Sequence, residues 1–190
     1  MKKSFGSKIL ICPAPVWCIG SYDENEKPNV MTIAWGGICC SNPPAVTVSL
    51  RKSRYSFDNI KKRGAYTVNV PSADYAREAD YFGMVSGKDV DKFGVTGLTP
   101  VKSEVVDAPY IEEFPMVLEC ELMHIYEIGE HFQFIGKIMD VKVDESLLDA
   151  EGHPDMGLIS PFVFAPGTRS YYQVGDAIGK AFLIGREIGR

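Results

Sequence analysis

Arg51, Lys52 and Arg54 stand among the hydroxyls of Ser49, Ser53, Tyr55 and Ser56 in the segment Ser49-Leu-Arg-Lys-Ser-Arg-Tyr-Ser56. Cations and hydroxyls this close together can hold a phosphate monoester, a strong anion best met by charge-assisted donors and free backbone amides at a helix start. Shortly before, Asn29-Val-Met-Thr-Ile-Ala-Trp35 ends in an aromatic ring followed by Gly36 and Gly37. A flat ring surface beside a phosphate-sized cluster of donors is what a mononucleotide cofactor needs. The competing reading is a solvated charge run on an ordinary strand and turn.

Period-two alternation puts Thr32 and Ala34 on one face and Trp35 on the other, unless Gly36-Gly37 bends the strand. Small Ala34 would let a flat ring lie close to the backbone. For Trp35 the alternative is a core or subunit-interface aromatic. His131 directly follows the turn signal Gly129-Glu130. At a strand rim it can present its imidazole into a cleft as proton donor or hydrogen-bond partner, or it is an exposed strand end with no duty. His124 reads as structural, and His153, within Glu151-Gly-His-Pro154, as a loop residue.

A strand handing over to a helix must position the charged cluster. Ala45 to Arg51 alternates apolar and polar side chains, and Pro43-Pro44 fixes its start. Phe57 and Ile60 then recur at helical spacing, Lys61-Lys62-Arg63 suit the negative end of the helix dipole, and Gly64 follows. These signals predict a short helix from near Ser56 to Arg63. Strands are expected at Val16–Tyr22, Ala65–Val70, Val117–Ile128 and His131–Val143. Ser72 is expected to cap a helix running to Phe82 with Gly83 as its stop, and Ser86 to Gly97 to be a polar connection. Strands outnumber helices without a regular β-α-β rhythm, which favours an antiparallel barrel with helical insertions over a doubly wound sheet.

With 190 residues, 45% hydrophobic and 24% charged, the chain reads as one globular domain, residues 1–190. Its net charge of −5 argues against a nucleic-acid partner. No apolar run is long enough for a membrane span or a secretory signal, so a cytoplasmic protein is expected. The five cysteines have no bridging or metal-binding spacing, and Cys39-Cys40 read as small buried fillers. No metal site is expected. The G-x-G-x-x-G, P-loop, H-E-x-x-H and G-x-S-x-G motifs are all missing.

In order and spacing, Asn29 to Trp35, Cys40-Ser-Asn-Pro-Pro44, Ser49 to Ser56, Gly64-Ala-Tyr-Thr-Val-Asn-Val70, Asp91-Lys-Phe93 and Gly129-Glu-His-Phe-Gln-Phe-Ile-Gly136 resemble one family. It is the flavin reductase-like proteins with an FMN-binding split barrel, and their flavoredoxin branch in particular. Tyr171-Tyr-Gln-Val-Gly175 is a tail match. The resemblance implies a mainly β, Greek-key-like split barrel with helical insertions, forming a homodimer that holds FMN near the subunit interface. The segments containing Asn29, Thr32, Ala34 and Trp35 would lie along the flavin. Ser49, Arg51, Lys52, Ser53, Arg54, Tyr55 and Ser56 would hold ribityl and phosphate groups, and Lys92 and Phe93 would approach from a loop. Gly129-Glu130-His131 is similar to a Gly-Asp-His motif whose histidine lies near the nicotinamide site, with Glu130 replacing Asp. The implied activity passes electrons from NADH or NADPH through FMN to free flavin, an electron-acceptor protein or a small acceptor. The alternative is an FMN electron carrier without nicotinamide turnover.

Overall fold

The computed structural model describes residues 1–189. Its strands are β1 (Ala14–Pro15), β2 (Trp17–Tyr22), β3 (Pro28–Ile33), β4 (Gly36–Ser41), β5 (Pro44–Arg51) and β6 (Ala65–Val70). Then come β7 (Pro100–Lys102), β8 (Pro109–Ile111), β9 (Met116–Ile128), β10 (His131–Val143), β11 (Phe162–Ala165) and β12 (Ser170–Gln173). The helices are α1 (Tyr55–Arg63), α2 (Ala76–Met84), α3 (Lys92–Thr96) and α4 (Met156–Ile159).

Alternation builds the frame. Along β5, Val46, Val48 and Leu50 are buried, while Thr47, Ser49 and Arg51 face outward. The inward set joins Ile19, Val68, Phe134 and Tyr66 in one core, closed by Phe57 and Ile60 of α1. β10 pairs antiparallel with both β9 and β5, so Arg51 lies opposite His131 and Ser49 opposite Gln133. A methyl at Gly136 on β10 would sit 2.4 Å from the Tyr66 hydroxyl, so only glycine leaves room for that ring.

The seven-stranded sheet runs β3-β2-β6-β9-β10-β5-β4. Its two edge strands are consecutive in sequence, separated only by Ala34 and Trp35. The sheet must therefore curl until its edges approach, which makes a split barrel. The Ser49 N–H donates to the Trp35 carbonyl at 2.8 Å, which carries the β4–β5 ladder one residue past Gly36 and ties the link between the edges to β5. A second sheet, β1-β11-β12, brings in the C-terminal strands, and a second core of Val16, Cys18, Phe82, Phe93 and Phe162 packs α2 against β2 and β3.

Three local expectations need correction. Ser72 precedes a 3-10 turn, Ala73–Tyr75, without a side-chain cap; α2 starts after it and runs through Gly83 to Met84. The Ser86–Gly97 connection contains α3, capped by Asp91 accepting from the Gly94 N–H and ended by left-handed Gly97. Cys39 and Cys40 are exposed rather than buried fillers. The register with β5 shifts between Ile38 and Cys40, and this bulge on an edge strand turns both side chains outward. His124 is also exposed, beside the Tyr126 ring on the outer side of β9.

Candidate functional site: a cleft along the barrel seam

The turn after β5 closes with the Arg54 N–H donating to the Arg51 carbonyl at 3.0 Å, and α1 begins at Tyr55. Arg54 has extended backbone and no side-chain cap, so the opening amides of α1 stay available to a ligand. A cavity of about 60 Å³ lies there, lined by Asn29, Ser53, Arg54, Tyr55, Ser56, Gly87 and Lys92, among others. Asn29 Nδ2 donates to Ser56 Oγ at 2.8 Å, while Asn29 Oδ1 is buried with no partner among the described residues. A Cβ on Gly87 would fall 1.8 Å from that oxygen, so the backbone after α2 passes close over this throat. Tyr55 donates to Asp23 at 2.9 Å, and burial, then Asp23, push its hydroxyl above the usual range.

The throat shares Met31, Thr32, Arg54 and Gly83 with a wider cavity of about 360 Å³. The two form one tapering cleft. Thr32, Ala34, Trp35, Ser49, Arg51 and His131 all line the wide part. Trp35 joins Thr32 and Ala34 because β3 ends at Ile33 and the chain bends before Gly36. The Trp35 and His131 rings lie parallel within 4°, with centroids 6.3 Å apart. Glu130 Oε1 lies 3.1 Å from Arg51 Nη2 and 3.8 Å from His131 Nδ1. Arg54, by contrast, makes no ion pair among the described residues.

Not every residue singled out in the sequence reaches this cleft. Lys52 lines neither part of the cleft but an adjoining depression with Glu24, Asp58 and Lys62, which shares Ser53, Arg54 and Tyr55 with the throat. Phe93 is buried in the second core near Phe82. Thr32 lines the cleft, yet its hydroxyl donates to the Ala79 carbonyl. Lys92 opens α3 and is buried, with Nζ donating to the Val30 and Phe82 carbonyls, each at 2.7 Å. Burial is the main cause that pulls its pKa down to about 8. Sequence reasoning missed Asp80, Gly83 and Met84, which line one side from α2, and Phe164 and Tyr171 from the second sheet. The spacing of Asp80, Gly83 and Met84 marks one helical face and was the available signal.

A positive, amide-lined throat opening into a wide part walled by flat rings can hold an anion at one end and a planar group at the other. The Flavin reductase like domain family model matches residues 9–172. Flavoredoxin of Desulfovibrio vulgaris (Miyazaki F) is 52% identical, with a TM-score of 0.94 over 97% of this chain and 100% of that one. A Shewanella frigidimarina protein described with a split barrel domain is 26% identical, with a TM-score of 0.80 over 89% and 85%. A flavin reductase of Pseudomonas putida is 28% identical over 132 residues, 70% of this chain and 74% of its own. With the domain matched along nearly the whole barrel, the chain belongs to the flavin reductase like domain family.

Proposed function

We propose that the protein is an FMN-dependent oxidoreductase that passes electrons from NADH or NADPH to a flavin, a protein or a small acceptor. The observation that carries this reading is the single cleft with unlike ends. At the narrow end, among the described residues, Arg54 has no carboxylate partner and Asn29 Oδ1 is a buried acceptor without a donor. A phosphate matches the first and a ribityl hydroxyl the second. At the wide end, Ala34 leaves backbone open to a flat ring between Trp35, His131 and the second sheet. FMN, when bound, supplies two-electron chemistry that no side chain provides.

In this reading Arg54, Ser53 and the first amides of α1 hold the phosphate, and Asn29 with Ser56 fixes the chain between phosphate and ring. Arg51 and Ser49 border the ring. His131, half-buried at the rim and beside Glu130, orients the nicotinamide donor and offers a hydrogen bond to it. The partner is a second copy of the chain. Tyr126 and Ile128 are 51% and 59% exposed and share the outer face of β9 and β10 with Gln133 and His131, next to the cleft wall.

The test is anaerobic mixing of FMN-loaded protein with NADH and with NADPH while flavin absorbance is followed. Bleaching by either donor is expected. His131→Ala should slow it by about 10–100-fold, the scale of lost orientation, with flavin content unchanged. Failure of both donors to bleach the wild type would leave an FMN electron carrier as the reading. Equal loss of flavin and rate in His131→Ala would recast His131 as structural.

A further inference from the structure

Asp80 stands on the face of α2 that borders the wide end of the cleft, one turn before Gly83 and Met84. Its Oδ1 accepts a 2.7 Å hydrogen bond from the Tyr171 hydroxyl on β12. No Lys or Arg forms an ion pair with it among the described residues. The Tyr171 ring is held in turn, edge-on to Phe162 with centroids 5.3 Å apart and near Phe164 at 5.7 Å. Burial, then Asp80, push the Tyr171 phenol above its usual range, so it remains a donor.

The charges around the cleft do not balance evenly. Arg51 is met by Glu130, and in the proposed reading Arg54 and Lys92 both stand at the phosphate end. Asp80 remains as an unmatched negative charge at the ring end. Two electrons taken up with one proton add one negative charge to a ring system lying there. A carboxylate nearby opposes that charge, and more strongly where protein excludes water.

We propose that Asp80, oriented and partly compensated by Tyr171, is a positioning residue that keeps the reduction potential of the bound flavin low. It thereby makes the protein a stronger electron donor. This inference deepens the FMN reading and rests on it.

The experiment compares wild type, Asp80→Asn and Tyr171→Phe, each loaded with FMN. The midpoint potential is read against a reference dye and the affinity for oxidised FMN by calorimetry. Asp80→Asn keeps an oxygen acceptor for Tyr171 but removes the charge. It should bind reduced relative to oxidised flavin about tenfold more tightly, a rise of about 30 mV for a two-electron couple. Tyr171→Phe keeps the charge and removes its donor, so its potential should fall. A latch with only a structural role would move both variants in the same direction and weaken oxidised FMN in both. That result, or an unchanged potential in Asp80→Asn, overturns the proposal. An unchanged potential in Tyr171→Phe alone removes Tyr171 from it. Wild-type protein that takes up no FMN would instead end the reading beneath it.

Discussion

At the residue scale, a cation's direction matters more than its presence in the sequence. Arg51, Lys52 and Arg54 read as one cluster, yet only Arg51 and Arg54 line the cleft, and Arg51 is already paired with Glu130. Replacing Arg54 with Ala should remove a charge-assisted contact worth about 1.5–3 kcal/mol and raise the FMN Kd by roughly 10–100-fold. Lys52→Ala should raise it less, since Lys52 lines only the adjoining depression, where Glu24 and Asp58 offset its charge. Isothermal calorimetry on both variants checks the contrast; equal losses would mean a general charge effect. That this segment borders a cleft was legible from its residue types. Which cation faces inward was not, because the tight turn at Arg51–Arg54 sets it, and the turn's geometry is invisible to a count of charges. Trp35 was legible for a related reason: the bend that carries it into the cleft was signalled by Gly36-Gly37.

At the element scale, the long alternating strands were readable because one face of each is buried. β5, β6, β9 and β10 fall within a residue of where alternation puts them. The helices flanking the cleft were harder. Gly83 looked like a stop but lies inside α2, whose Phe82 carbonyl is taken by Lys92. That contact spans ten residues and leaves no local mark. α3 has only five residues, too few for a periodic pattern, although Asp91 and Gly97 bracket it as cap and stop. The clamp also has a pH signature. With the pKa of Lys92 lowered to about 8 from 10.5, the unfolded chain binds more protons between those values, so stability contributed at this site rises with pH across that window. Below pH 8 both states are protonated and the burial cost is constant. Buried Cys18 and Cys120, pushed up to about 12, act oppositely from pH 9 upward, so the comparison must be a difference. The unfolding free energy of wild type minus Lys92→Met should increase from pH 8 to 10.5, by about 3 kcal/mol at most. Denaturant titrations at matched pH measure it, and a flat difference would mean Lys92 titrates normally.

At the scale of the whole molecule, the barrel was legible as a class because strands dominate without β-α-β rhythm. The strand order was not, since it depends on pairings far apart in sequence such as β6 with β9. The expected homodimer belongs to this scale too. Wild type should elute at twice the 21.0 kDa chain mass, and Ile128→Glu, which places a charge on the outer face beside the cleft, should shift it toward monomer. Loss of bound flavin in the same variant would tie the assembly to the site; unaltered elution would put the partner on another face. The seam itself has a further consequence. The barrel's two margins are linked by Ala34 and Trp35, the Ser49 amide ties that link to β5, and all three residues also wall the cleft. Fraying of this end of the ladder and loss of an occupant are then coupled, since an occupant stabilises the intact form by mass action. Deuterium uptake at the Ser49 amide should slow as FMN is added, in proportion to saturation, and should respond little at amides of the β7–β8 ribbon, remote from the join.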